Sequence, residues 1–186
     1  MARTPSVMAP LGSPATAFAL PDPSGKVWTL DQLRGPKGLL VMFICNHCPF
    51  VKHIAAELAR LGRELQSDGI GVVAINSNDV ENYPDDRPEL MAVESKNRGY
   101  TFPYLYDATQ DVARAYQAAC TPDFFLYDAG LKLTYRGQLD ASRPGNEVPV
   151  TGSDLRRAAA AVVAGKGVAE PQIPSIGCNI KWRAAH

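Results

Sequence analysis

Cys45 and Cys48 are separated by Asn46 and His47 and follow the apolar run Leu39-Leu40-Val41-Met42-Phe43. Thiols at this spacing, at a joint between a strand and a helix, can close a small disulfide ring or clip a metal ion. A thiol on the first turn of a helix faces unpaired backbone N–H groups and the positive end of the dipole. Both favour thiolate and lower its pKa from ~8.5 toward ~3.5–7.5. The neighbouring thiol can then resolve a mixed disulfide by attacking it. Zinc takes four ligands, commonly as two spaced pairs. This chain has one C-x-x-C, with His47, His53 and Cys178 as the other candidate donors. The expectation is therefore a redox pair, with no metal.

Four further residues have two readings each. His47, inside the ring, is either an imidazolium that stabilises a thiolate or an exposed loop residue. His53 shares the polar helix face with Glu57, Arg60 and Glu64, and reads as solvated rather than functional. Cys120 is either a small core residue or a third redox thiol. Cys178, within Ile176-Gly177-Cys178-Asn179-Ile180, is either a packing residue or the resolver of an oxidised active-site thiol. Reactivity of this kind depends on exposure.

The elements that must position these residues are legible in the pattern. Phe18 to Leu20 and Lys26 to Leu30 alternate around a Pro-Asp-Pro-Ser-Gly turn and predict an N-terminal hairpin. Residues 38–44 form a continuous apolar run, as a strand buried on both faces requires. Val51, Ile54, Ala55, Leu58, Leu61 and Leu65 recur at helical spacing up to Gly69, and Ile70 to Ile75 is a second buried strand. Two such strands joined by a helix predict a right-handed parallel crossover. A polar stretch, Asn76 to Asp86, follows; Asp86 is a candidate cap for a helix from Pro88 to Gly99. Thr101 to Tyr106 predicts an edge or irregular strand because of Pro103, and Asp107 or Thr109 a cap for a short helix. Phe124 to Tyr127 and Leu131 to Tyr135 predict a hairpin, and Ser153 or Asp154 a cap for an Ala-rich helix ending at Gly165. The expected organisation is an extended lead-in (1–15), one domain (16–167) and a tail (168–186) whose Ile173, Ile176, Ile180 and Trp182 pack back on the body.

Composition narrows the function classes. The 186 residues suffice for one well-buried domain. With 19 basic and 19 acidic residues the formal net charge is zero, so nothing electrostatic favours nucleic acid or an anionic membrane as partner. No apolar run approaches the ~20 residues of a membrane span. Met1 to Leu20 is interrupted by Pro5, Pro10 and Pro14 and lacks the ~7–15-residue apolar core of a secretory signal, so a cytoplasmic location is expected. Four cysteines are few for a disulfide scaffold, and a close pair in a reducing compartment reads as redox-active or metal-binding. There is no nucleotide or phosphate-loop motif, and no cofactor is expected.

A C-x-x-C after the first core strand, a Thr-Pro before a hairpin and this element order together resemble the thioredoxin fold, an α/β architecture with a central mixed sheet flanked by helices. Here it has an N-terminal hairpin and an insertion before the cis-proline loop. Phe18-Ala19-Leu20-Pro21-Asp22…Gly25-Lys26…Leu30 resembles the redoxin branch, the alkyl hydroperoxide reductase/thiol-specific antioxidant superfamily. Cys45 to His53, Cys120 to Phe124 and Gly177 to Trp182 look like its peroxiredoxin-like subgroup. The resemblance implies a thiol–disulfide oxidoreductase acting on a protein or low-molecular-weight disulfide, with an external thiol reductant. The alternative it implies is a thiol peroxidase acting on a hydroperoxide. It also implies that Pro122 is cis, packs beside the cysteines and leaves the Thr121 backbone free to bind an extended substrate. Matching the C-x-x-C motifs makes Cys45 the nucleophile and Cys48 the resolver, and that assignment is favoured. Aligning Phe43 to the thioredoxin strand without gaps gives Cys48 the first position, and the order stays open. The peroxiredoxin signature P-x-x-x-T-x-x-C has Val41 and Cys45 at its Pro and Thr positions, and Arg136 or Arg143 would have to supply the remote cation.

Overall fold

The apolar run before the cysteines is buried on both faces because it is the middle strand of a sheet. The computed structural model describes residues 3–184. Its first elements are β1 (Arg3–Pro5), the hairpin β2 (Ala19–Pro21) and β3 (Val27–Thr29), and the short α1 (Leu30–Leu33). The core unit is β4 (Gly38–Phe43), α2 (Pro49–Ser67) and β5 (Ile70–Asn76). A 3-10 turn at Pro84–Asp86 leads to α3 (Pro88–Arg98), β6 (Tyr104–Tyr106) and α4 (Asp111–Ala115). Then come β7 (Cys120–Thr121), β8 (Asp123–Asp128), β9 (Leu133–Arg136), α5 (Ser153–Val163) and β10 (Ile176–Asn179).

The main sheet has the order β6-β5-β4-β8-β9. Strand β4 runs parallel to β5 and antiparallel to β8, with Phe43 opposite both Ile75 and Asp123. Successive side chains of a strand point to opposite faces. Leu40, Met42 and Ile44 therefore join the layer built with Leu58 of α2 and Leu155 and Ala158 of α5. Leu39, Val41 and Phe43 join Leu30 and Leu33 of α1, Ala113 of α4 and the hairpin residues Phe18 and Leu20. This is a thioredoxin-like mixed sheet flanked by helices. Strand β6 lies at the sheet edge, where a neighbouring proline is tolerated.

A second, three-stranded sheet has the order β1-β10-β7. Cys178 lies opposite Arg3 on one side and Thr121 on the other, both pairings antiparallel. Gly177 is required here: a Cβ at this position would collide with the carbonyl oxygen of Thr121.

Several caps differ from the sequence expectation. Arg87, not Asp86, precedes α3, because Asp86 turns inward. The N-cap of α4 is Gln110, yet both expected residues serve that helix: Asp107 Oδ2 accepts the Ala113 N–H at 3.0 Å and Thr109 Oγ1 that of Asp111 at 3.3 Å. Gly152, not Ser153 or Asp154, caps α5; the buried Asp140 accepts the N–H groups of Thr151 and Gly152 and fixes that turn. Glu57 is not on an exposed face: it is buried and paired with Arg60 and Arg156.

Candidate active site

The apolar strand β4 delivers the chain to a tight segment, Ile44 to Cys48, before α2 begins at Pro49. Cys48 is the N-cap of α2, and proline follows it as the first helical residue, where its missing N–H costs nothing. The expectation that Cys45 stands on the first helical turn is thus not met. Cys45 precedes the helix, and Cys48 receives the field of its N-terminus. The cause is the short loop between Phe43 and the helix.

The register of β4 against β8 brings Thr121 and Pro122 to this segment. The Thr121–Pro122 bond is cis. Cys48 Sγ lies 3.1 Å from the Thr121 carbonyl oxygen and 2.9 Å from Cys178 Sγ. Cys45 Sγ lies 3.4 Å from Thr121 Oγ1 and 3.9 Å from His47 Nδ1. Three sulfurs therefore share one buried cluster: Cys48 is 0% exposed, Cys178 1% and Cys45 2%.

Their electrostatics are unequal. The thiol of Cys45, hydrogen-bonded to Cys48, pulls the Cys48 pKa down to about 5 against the opposing effect of burial; the Cys178 thiol and the Val51 N–H add to the lowering. Cys45 is held far above the usual thiol range by that same hydrogen bond, by burial and by the charge of Asp86. Burial and the bond to Cys48 push Cys178 up to about 12. Cys48 is thus the sulfur of the cluster most easily ionised, with the thiols of Cys45 and Cys178 placed to donate to it once its proton leaves. Cys120 stands apart: it is fully buried, burial drives its thiol far up, and its Sγ meets backbone, the Pro122 carbonyl at 3.5 Å and the Gly177 N–H. That is the environment of a core residue.

The polar stretch after β5 turns out to be a buried scaffold for the C-x-x-C segment. Asp86 Oδ1 accepts the N–H groups of Asn46 at 2.8 Å and His47 at 3.2 Å, while Oδ2 lies 2.5 Å from His47 Nδ1 and 2.8 Å from Asn78 Nδ2. Asn76 donates to the Asp86 carbonyl, and Tyr104 donates to Asn46 Oδ1 at 3.0 Å. The hydrogen bond to Asp86 raises the His47 pKa, and burial of that ring opposes it. Burial pushes the Asp86 carboxyl up, but the hydrogen bonds from His47 and Asn78 prevail and hold it below the carboxylate range. His47 stacks on Tyr83 at 5.5 Å, and Lys181 Nζ lies 5.5 Å from the Tyr83 ring. These three residues form the rim nearest Cys45.

Asn78, Tyr83 and Lys181 were not singled out from the sequence, and Asp86 only as a helix cap. The usable signal was a run of Asn, Ser and Asp at the end of a buried strand, since polar groups brought into a core must be satisfied. His53 is exposed and contacts Ser142 Oγ at 2.7 Å, away from the sulfurs. Arg143 donates to Asp140, Ser142 and Gln138, and Arg136 to Ala9 and Gln172. The cavity that joins Arg143, His53 and Pro122 measures about 20 Å³, one water in size.

Among the described residues, Cys45, His47 and Asp86 form a cluster whose donor atoms all lie within 4.8 Å of one another. It offers three ligands, one short of a closed structural zinc site. Each Asp86 oxygen is already engaged by two N–H groups. The donor set fits hydrogen bonding better than a cation.

Strand β10 occupies the edge of β7 at Thr121, so that backbone is not free for an extended substrate, contrary to the expectation.

Comparison with known proteins gives four points of similarity. Residues 11–136 match the AhpC/TSA family. A thiol-disulfide oxidoreductase ResA of Halalkalibacterium halodurans is 29% identical over 120 residues; the match covers 64% of this chain and 63% of that protein, so the chain spans less than two thirds of its relative. Among solved structures, an uncharacterised conserved protein of Geobacillus kaustophilus is 52% identical with a TM-score of 0.98, covering 100% of this chain and 99% of that one. A thiol:disulfide interchange protein of the thioredoxin family from Chlorobium tepidum aligns with a TM-score of 0.63 at 17% identity, over 82% of this chain and 97% of that one, a likeness of fold.

Proposed function

Because this chain belongs to the AhpC/TSA family, we propose that it is a thiol–disulfide oxidoreductase in which Cys48 attacks a low-molecular-weight disulfide and Cys45 resolves the product. The observation that carries this reading is the Cys48 sulfur at the N-cap of α2, with its pKa drawn to about 5 by hydrogen bonds from neighbouring thiols. A thiolate is the nucleophile in disulfide exchange, and a second thiol within reach is what releases a mixed disulfide. Cys48 forms a mixed disulfide and expels one thiolate. Cys45 then attacks Cys48 Sγ and expels the second, leaving a Cys45–Cys48 disulfide that an external thiol reductant reopens. His47 Nδ1, which donates to Asp86, stands 3.9 Å from Cys45 Sγ, so an imidazolium there favours the Cys45 thiolate as its proton leaves to water. Burial of all three sulfurs, with β10 in place at Thr121, supports a small substrate over a protein one. By the same reasoning, the cytoplasm is the proposed location, as a compartment that keeps such thiols reduced.

The test is turnover of 2-hydroxyethyl disulfide with an external dithiol. Cys48→Ser is expected to fall to the uncatalysed rate, and Cys45→Ser to release its mixed disulfide more slowly. A Cys48→Ser variant as fast as wild type overturns the reading.

A second reading, thiol peroxidase, is favoured by the same burial, since hydrogen peroxide is smaller than any organic disulfide. Against it, Cys45 occupies the position where the peroxiredoxin signature has threonine, and Arg136 and Arg143 are engaged elsewhere. Stoichiometric peroxide consumption with a sulfenate trapped on Cys48 would select it.

A further inference from the structure

We infer that Cys178, on the strand that seals the site, is a second disulfide partner of Cys48 and completes the reaction that Cys48 begins. This deepens the proposed function and rests on Cys48 as the attacking sulfur.

The geometry points to a pair of sulfurs within reach of one another. A disulfide forms at ~2.05 Å, and Cys48 Sγ and Cys178 Sγ already stand 2.9 Å apart. Neither residue is on a loose segment. Cys48 caps a long helix, and Cys178 is held in register between Arg3 and Thr121 in the middle strand of its sheet. Its close seat depends on Gly177, whose missing side chain lets β10 approach the Thr121 carbonyl. A residue that served packing alone would not have to direct its sulfur at the one thiolate of the cluster.

The chemistry also orders the steps. While Cys48 is a thiolate, burial first and then the hydrogen bond to Cys48 keep Cys178 protonated. Once Cys48 has entered a mixed disulfide, that charge is gone and one cause of the protonation goes with it; the nearby Lys181 cation favours the Cys178 thiolate. The Cys48 thiolate attacks one sulfur of R–S–S–R, forming Cys48–S–S–R and expelling RS⁻, which takes a proton from water. Cys178 loses its proton and attacks Cys48 Sγ. The bond to SR breaks, and the second RS⁻ leaves with that proton. In total, one protein thiolate and one thiol give up two electrons and one proton, and the small disulfide, with a second proton from water, becomes two RSH. The same attack on a Cys45–Cys48 bond moves the disulfide to Cys48–Cys178 and returns Cys45 as a thiol, with no net oxidation.

The experiment is disulfide mapping after treatment of the full-length chain with 2-hydroxyethyl disulfide and acid quenching. Wild type is expected to yield a Cys48–Cys178 peptide pair. Cys45→Ser is expected to yield that pair without a lasting hydroxyethyl adduct, and Cys178→Ser only Cys45–Cys48. The inference is overturned if wild type yields Cys45–Cys48 alone, a result that needs no variant to fold. A persistent Cys48 adduct in Cys45→Ser also overturns it while leaving Cys48 as the nucleophile. A Cys48 thiol that stays unmodified in every protein overturns both the inference and the function beneath it, so the two failures are told apart.

Discussion

Asp86 holds His47 twice, through a 2.5 Å contact with its imidazole and through a hydrogen bond from its backbone N–H. The pair is mostly shielded, with side-chain exposures of 16% for His47 and 0% for Asp86. The raised His47 pKa means that its charge stabilises the fold fully below the unfolded value of about 6.5 and is lost as pH rises through the higher folded value. The lowered Asp86 pKa contributes above about 3.9 and is lost as pH falls through its folded value. The pair is therefore at full strength between about pH 4 and 6.5. His47→Gln is expected to cost about 1–3 kcal/mol in urea unfolding near pH 6, and less near pH 9. An equal cost at both pH values would show that the charge contributes nothing.

The Cys48 thiolate can be titrated by its ultraviolet absorbance. With the pKa drawn to about 5, the signal should be half-developed there and flat through neutrality. Cys45→Ala removes the largest lowering influence and should move the midpoint upward, and Cys178→Ala should move it in the same direction by less. A midpoint that stays in place in Cys45→Ala would mean that the helix terminus alone sets the value.

Gly177→Ala tests how β10 is seated. The added methyl meets the Thr121 carbonyl oxygen, a backbone atom that cannot swing aside. Forcing such contacts costs typically about 1–3 kcal/mol. The expected outcome is a lower melting temperature together with a lower yield of the Cys48–Cys178 bond. Unchanged stability and unchanged yield would place the strand differently from the structure described.

Oxidation should alter stability according to which bond forms. Cys48 and Cys178 are 130 positions apart, and closing a loop of that length stabilises by about 5 kcal/mol in the chain-entropy account. A Cys45–Cys48 bond closes a very short loop and should do far less. Thermal scans of reduced and oxidised protein, with and without Cys178→Ser, measure the difference.

Much of the framework was legible in the sequence because it rests on period and punctuation. The continuous run before Cys45, the spacing from Val51 to Leu65 and the turn at Asp128-Ala129-Gly130 all specify local structure. Caps were read less well. Asp86 looked like a helix start because it precedes Pro88, but its carboxylate has four donors gathered from three other residues. Pairing of that kind is a property of the folded chain and leaves no periodic trace. The same holds for Cys178. Its surroundings read as an apolar tail, and only the pairing of β10 with β7 brings its sulfur to Cys48.

The sheet β1-β10-β7 has a practical consequence for anyone handling this protein. Arg3–Pro5 and Ile176–Asn179 lie near opposite ends of the numbering, yet they are adjacent strands in the wall of the thiol cluster. An affinity tag or fusion partner joined close to either strand is not a neutral addition. Activity measured on tagged material should be checked after the tag has been cleaved.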